Sequence, residues 1–234
     1  MMMLIMLVSL ALAGTAETLT QAADADLSDE LRMEAFNQLV MDYESIRPQL
    51  EIVVHDDAHD ARERWIAARV IGQSHNPKAK KALLQLCDDP MPAMRAAAAT
   101  ALGDLGYKDT ADRLGQLLTD DALIVRVAAA DALGLIKAED SARYLEAALS
   151  DRSNYYRGTP LFVRVHYVNA IGEIGSWTSI PALIACFDDR DEAVQDAALV
   201  ALRKIVGYDF AEGRDKQEQM EAWRRWYASE SAKP

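Results

Sequence analysis

Basic residues are in deficit in this 234-residue chain: 25 Lys and Arg stand against 37 Asp and Glu, for a formal net charge of -12. An acidic surface repels phosphate backbones and anionic headgroups. General nucleic-acid binding and simple electrostatic docking on a membrane are therefore excluded as expectations. Aromatic residues are few, 7% of a chain that is 50% apolar, so aliphatic side chains must fill the core. That suits helix packing better than a β-sandwich. Only two cysteines occur, too few for a disulfide framework. No apolar run reaches the ~20 residues of a membrane-spanning helix. Also missing are a Gly-rich phosphate loop, a Gly-x-Ser-x-Gly elbow and a Cys-x-x-Cys pair, which leaves the commoner catalytic constellations without their residues.

Charge is absent altogether from residues 1–16; the first charged side chain is Glu17. An apolar run from Met1 to Ala13 ends in Ala11-Leu12-Ala13 and Gly14-Thr15-Ala16. Those small-residue triplets fit signal peptidase, with cleavage after Ala13 or Ala16. No Lys or Arg precedes the run, and an uncleaved anchor is the rival reading. No cysteine follows it, so lipoprotein processing is unsupported. Residues 1–16 are read as a signal peptide, 17–27 as a polar linker, and the protein as periplasmic or secreted.

What the chain has is repetition. Val125-Arg126-Val127-Ala128-Ala129-Ala130-Asp131-Ala132-Leu133-Gly134 returns as Met94–Gly103, as Val163–Gly172 and, more loosely, as Arg64–Gly72. The glycine follows the arginine by eight residues each time, and Gly72, Gly103, Gly134 and Gly172 are 31, 31 and 38 apart. Such a period predicts a solenoid whose units bury their apolar faces against neighbours. Each unit pairs a first helix, carrying arginine and alanines, with a shorter second helix of spaced leucines that closes on aspartate: Asp88-Asp89, Asp120-Asp121, Asp151, Asp188-Asp189. The alanines admit close neighbours, the glycine is expected to end or bend the helix, and the aspartate to cap the next helix and pair with an arginine. Cys87 and Cys186 then lie about 30 Å apart, beyond the ~7 Å Cα limit of a disulfide, and read as core residues. A first helix pair starts at Ser28, with Leu31, Ala35 and Leu39 inward and Pro48 in the first turn of its second helix. At the far end Gln195 and Arg203 replace the arginine and glycine, and a helix bearing Met220, Trp223 and Tyr227 closes the stack as a lid.

The Val-Arg-x-Ala-Ala-x-x-Ala-Leu-Gly blocks and trailing Leu-x-x-x-Leu-x-Asp segments resemble the short bacterial HEAT repeats first described in phycobilisome lyases. The resemblance implies an all-α, right-handed solenoid of stacked antiparallel helix pairs, HEAT/armadillo-like, with about five to six repeats. Residues 28–210 form the solenoid, 211–229 a capping helix and 230–234 a tail. Ankyrin and tetratricopeptide repeats have nearby periods, but their signatures are absent. Deoxyhypusine hydroxylase, also built of helical repeats, holds iron with His-Glu dipeptides. Here the histidines precede Asp56, Asp60, Asn76 and Tyr167, so that chemistry does not carry over. Bilin attachment is cytoplasmic and does not fit an export signal.

Three candidate sites remain. His55 and His59, flanked by Asp56, Asp57 and Asp60, would share a helical face as metal ligands, but they straddle a repeat boundary where aspartates already serve as caps. No metal, cofactor or catalytic residue is assigned. The extra residues before Gly172 form an insertion around Asp151–Pro160, and Tyr155, Tyr156 and Arg157 are candidate interface anchors there; otherwise they pack over a longer turn. Shifting by the period aligns Lys81 with Asp112 and Arg143, and Arg113 with Tyr144. These positions would line the concave wall as a basic and amide stripe for an acidic peptide or carboxylated glycan. A solvated face is the plainer alternative. The expected function is a non-catalytic protein-binding or scaffolding module of the bacterial envelope, without nucleic acid and without membrane contact beyond the export signal. The alternative is a metal-dependent or accessory enzyme related to the HEAT-repeat hydroxylases or lyases.

Overall fold

Alanine- and leucine-rich stretches of this period form helices throughout. The computed structural model describes residues 14–156, 159–209 and 213–231. Two compact units divide the chain, the first ending at Tyr107 and the second beginning at Lys108. The first contains a helix over residues 14–23 (α1), then α2 (Asp29–Met41), α3 (Tyr43–Val53), α4 (Ala61–Gln73), α5 (Lys80–Leu86) and α6 (Pro92–Leu105). Here α2, α4 and α6 pack side by side, while α3 packs on α4 and α5 on α6. The second contains α7 (Ala111–Leu117), α8 (Leu123–Ile136), α9 (Ala142–Ser150), α10 (Val163–Ile174), α11 (Ile180–Ala185), α12 (Glu192–Val206) and α13 (Lys216–Ser231). In it α8, α10 and α12 form one layer, and α7, α9 and α11 pack on the helices that follow them. The fold is all-α. Strand geometry among the described residues is confined to a pair of two-residue segments, β1 (Tyr155–Tyr156) and β2 (Thr159–Pro160).

The repeated glycine has a different job from the one expected. Gly72, Gly134 and Gly172 lie within their helices, whose left-handed ends fall later, at Lys137 and Gly175 for the second and third. A Cβ on Gly72 would sit 2.6 Å from both Cα and Cβ of Ala101, and one on Gly172 would be 2.9 Å from Ala201 Cβ. The glycine is a contact point between successive first helices, where backbone meets backbone.

Each repeat loop is tied by a side-chain ring of the same design. The aspartate Oδ1 accepts from the N–H two residues on: Asp89 from Met91 (2.8 Å), Asp120 from Ala122 (2.9 Å), Asp151 from Ser153 (2.7 Å) and Asp189 from Asp191 (2.9 Å). At Asp89, Asp120 and Asp189 it closes the turn and does not cap the following α-helix, a correction to the expected capping role, while Asp151 caps the short 3-10 helix Arg152–Asn154. Its carbonyl accepts from the residue six further on: Arg95 Nη1 (2.9 Å), Arg126 Nε (2.6 Å) and, where arginine is lost, Gln195 Nε2 (2.7 Å). Arg64 and Arg164, both buried, pair with the carboxylates of Asp89 and Asp189 in the next loop. This is the expected arginine–aspartate ladder.

Other expectations are corrected. Residues 17–27 are helical as far as residue 23 and bury Leu19 and Ala22, so the expected linker packs against the body. Leu31 is exposed because Phe36 joins Ala35 and Leu39 inside and rotates the buried face of α2. Pro48 is interior to α3, which begins earlier because Tyr43 is buried; its absent N–H leaves Glu44 without that helical donor. At the far end, Met220 and Trp223 of α13 are buried and α13 packs on α11, as the lid reading expects. Arg203, at the glycine position, is 2.7 Å from Asp209 and donates to Gln219 of α13. With no further first helix to admit, a long side chain replaces the contact glycine.

Candidate functional site

The sequence alignment of second helices proves to be a spatial row within the second unit. Arg143 of α9 stacks on its neighbour Tyr144 (4.8 Å from guanidinium carbon to ring centroid) and donates to the Tyr144 hydroxyl at 3.0 Å. That hydroxyl donates to Asp112 of α7 at 2.7 Å, and Arg143 is 3.8 Å from the same carboxylate. Beside them Arg113 donates to Gln116 at 2.8 Å. Gly115 makes the row possible: a Cβ there would lie 2.6 Å from Tyr144 Cγ, so the ring rests flat on α7. The row is thus a mixed, internally paired surface and not a bare basic stripe. Arg143 remains 65% exposed, free to engage a second acceptor. Lys81 is exposed on α5 of the first unit.

The described start of the insertion, Asn154 and Tyr155, is tied to the repeat stack. Asn154, 1% exposed, accepts from Arg126 Nη1 (2.6 Å), donates to the Ala148 carbonyl (2.8 Å) and accepts from the Tyr167 hydroxyl (3.3 Å). Burial first of all holds that phenol protonated, its pKa pushed up to about 12. Tyr155 is half-buried, with the Arg164 guanidinium 4.6 Å from its ring centroid. Arginines of two successive repeats within the second unit therefore hold the loop, through Asn154 and Tyr155. Tyr156 contributes backbone pairing to Thr159, while the side chains of Tyr156 and Arg157 lie outside the described residues. Asn154, Arg164 and Tyr167 were not singled out as site residues. A cleft of about 270 Å³ opens beside Tyr155, lined among others by Glu146, Arg164, Ala182, Cys186 and Asp189. Burial pushes the Cys186 thiol up to about 11, so it stays protonated. Both cysteines are buried and neither is in a disulfide.

The histidine candidates are not brought together as expected. Residues 54–60 are not helical, so His55 and His59 do not share a helical face; His59 Nδ1 instead faces Glu63 Oε2 at 3.2 Å. Among the described residues, no group of three or more His, Cys, Asp or Glu could hold a metal ion. Near the chain's end Trp226 bridges buried Trp223 (centroids 5.4 Å apart) and exposed Trp177 (6.4 Å). No described helix is long and apolar enough to cross a membrane; residues 1–13, the core of the expected signal peptide, lie outside the described residues.

Stacked helix pairs, a contact glycine between first helices and an arginine–aspartate ladder define the class of helical-repeat solenoids. Within that class the chain carries HEAT repeats: the HEAT repeats family matches residues 46–122 and 82–159. No curated protein matches it significantly. Among solved structures, the complex of Kap95p with RanGDP contains a chain of similar fold, at 15% identity and TM-score 0.60; the match covers 95% of this chain and 31% of that one. Human deoxyhypusine hydroxylase aligns over 86% of this chain and 99% of its own at 16% identity and TM-score 0.42. The phycocyanin lyase complex of Nostoc aligns over 91% and 94% at 19% identity and TM-score 0.40.

Proposed function

We propose that this chain is a non-catalytic, protein-binding scaffold of the bacterial cell envelope, exported by its N-terminal segment. Its partner presents an acidic segment to the α7–α9 row and the adjoining 151–160 loop. The observation that carries this reading is the exposed Arg143, held in place by Tyr144 and Asp112 on a ring seated over Gly115. Preorganised guanidinium geometry of this kind lowers the ordering cost of binding a carboxylate. A repeat stack also supplies extended surface without needing a catalytic constellation.

The test is a crosslinking pull-down from the envelope fraction with three baits: wild type, Arg143→Glu, and Tyr155→Ala/Tyr156→Ala/Arg157→Ala. One specific protein captured by wild type and lost by both variants, at unchanged melting temperature, is the expected result. Retention by both variants would remove this surface from the function. Intact-mass measurement of the exported chain should show cleavage after Ala13 or Ala16; a full-length, membrane-retained chain would instead make the segment an uncleaved anchor.

A further inference from the structure

A cavity of about 350 Å³ lies in the first unit, far in sequence from the surface just described, between α1, α3 and α4. Its hydrocarbon wall comes from Leu19 of α1 and Ile52 and Val53 of α3, residues that lie beyond either expected cleavage position. Its polar end carries the Glu63 carboxylate, the Gln49 amide, the His59 ring and the Thr15 and Thr20 hydroxyls. Glu63 Oε1 takes the Thr20 hydroxyl proton at 2.7 Å, and Glu63 Oε2 faces His59 Nδ1 at 3.2 Å. Gln49, also lining the cavity, has its Oε1 buried with no hydrogen-bond partner among the described residues. A buried acceptor left unpaired costs about 1–3 kcal/mol, so the site is completed by a ligand that donates. The cation carried by α3, Arg47, is engaged with Glu51 at 2.8 Å.

From this juxtaposition we propose that the cavity binds a small primary alkylammonium. Its N–H donors meet Glu63 and Gln49, and its alkyl chain lies along Leu19, Ile52 and Val53. A carboxylate of the same size would face Glu63 without a compensating cation, and an alcohol would bring a single donor. The size falls at the lower end of small-molecule sites, which run from about 300 to 1,000 Å³. This inference is independent of the scaffold reading, because it uses neither the α7–α9 row nor the insertion.

The experiment is calorimetric titration of the purified protein with n-hexylammonium chloride near neutral pH, with n-hexanol and hexanoate as comparison ligands. The expected result is saturable binding of the ammonium, at least about tenfold weaker in Glu63→Gln, as loss of one charge-assisted hydrogen bond implies, with the alcohol and the acid weaker by a similar factor. Ile52 is 64% exposed, so Ile52→Lys should fold normally while setting a second ammonium at the mouth, and it too should bind at least about tenfold more weakly. Should Glu63→Gln fail to fold, the Ile52→Lys comparison decides alone. Absence of saturable binding, equal affinity for hexanol, or unchanged affinity in the folded variants would each overturn the proposal.

Discussion

At the scale of single residues, the ladder of arginines and the contact glycines carry more than their composition implies. Arg164 pairs with Asp189, and both side chains are under a tenth exposed. Arg164→Ala leaves that carboxylate buried without its cation and should cost about 3–5 kcal/mol in urea unfolding. Arg164→Met combined with Asp189→Asn removes both charges and should cost clearly less. Gly72→Ala places a methyl 2.6 Å from the Ala101 backbone, where neither helix can yield locally; about 1–3 kcal/mol of destabilisation is expected from such overpacking. Gly115→Ala meets only the Tyr144 ring, which can swing away. Its principal effect should therefore be on binding at the α7–α9 row, read in the same pull-down.

At the scale of elements, helices are joined by side chains whose protonation can be followed. Glu173 of α10 pairs with Lys204 of α12 and, at 3.5 Å, with Lys137 just past α8. The hydrogen bond from Lys204 above all, helped by Lys137, holds its carboxyl below the usual value of 4.5. A carboxylate with a depressed native pKa contributes stability above its unfolded pKa and loses it as pH falls through the native one. Because Glu173 is 46% exposed, the contribution is at most about 1 kcal/mol and salt-sensitive. The melting-temperature gap between wild type and Glu173→Gln should be present at neutral pH and close as pH falls below the usual carboxylate value and through the lowered native one. Tyr167 has the opposite sign. Its phenol is raised from 10.0 to about 12, so its contribution is complete below the unfolded value and lost as pH rises through that window. Tyr167→Phe should flatten the alkaline limb of the stability profile.

At the scale of the molecule, a repeat chain stores stability locally, each repeat depending mainly on its neighbours. Trp65 reports on the first unit, and Trp177, Trp223 and Trp226 on the second. In single-region tryptophan variants, Arg164→Ala should lower the urea midpoint seen by the second-unit tryptophans more than that seen by Trp65. Equal shifts would show that the whole chain unfolds as one cooperative block.

The helical repeat, its Arg–Asp bookends and the closing helix were legible in the sequence because they depend on spacing along the chain, which a period of 31 residues displays directly. The row Asp112–Arg143–Tyr144 was half legible: the period brought the positions into register, but their mutual pairing depends on side-chain directions across two helices. Contacts between distant segments were not legible. That Gly72 touches Ala101, that Arg126 bonds Asn154 and not the Asp151 that the period places opposite it, and that α1 closes a cavity over Glu63 and Gln49 all depend on which surfaces meet after folding. Sequence period determines which helices are neighbours; the distance at which their backbones can approach, and which polar atoms are left facing a space, is set only when the side chains are packed.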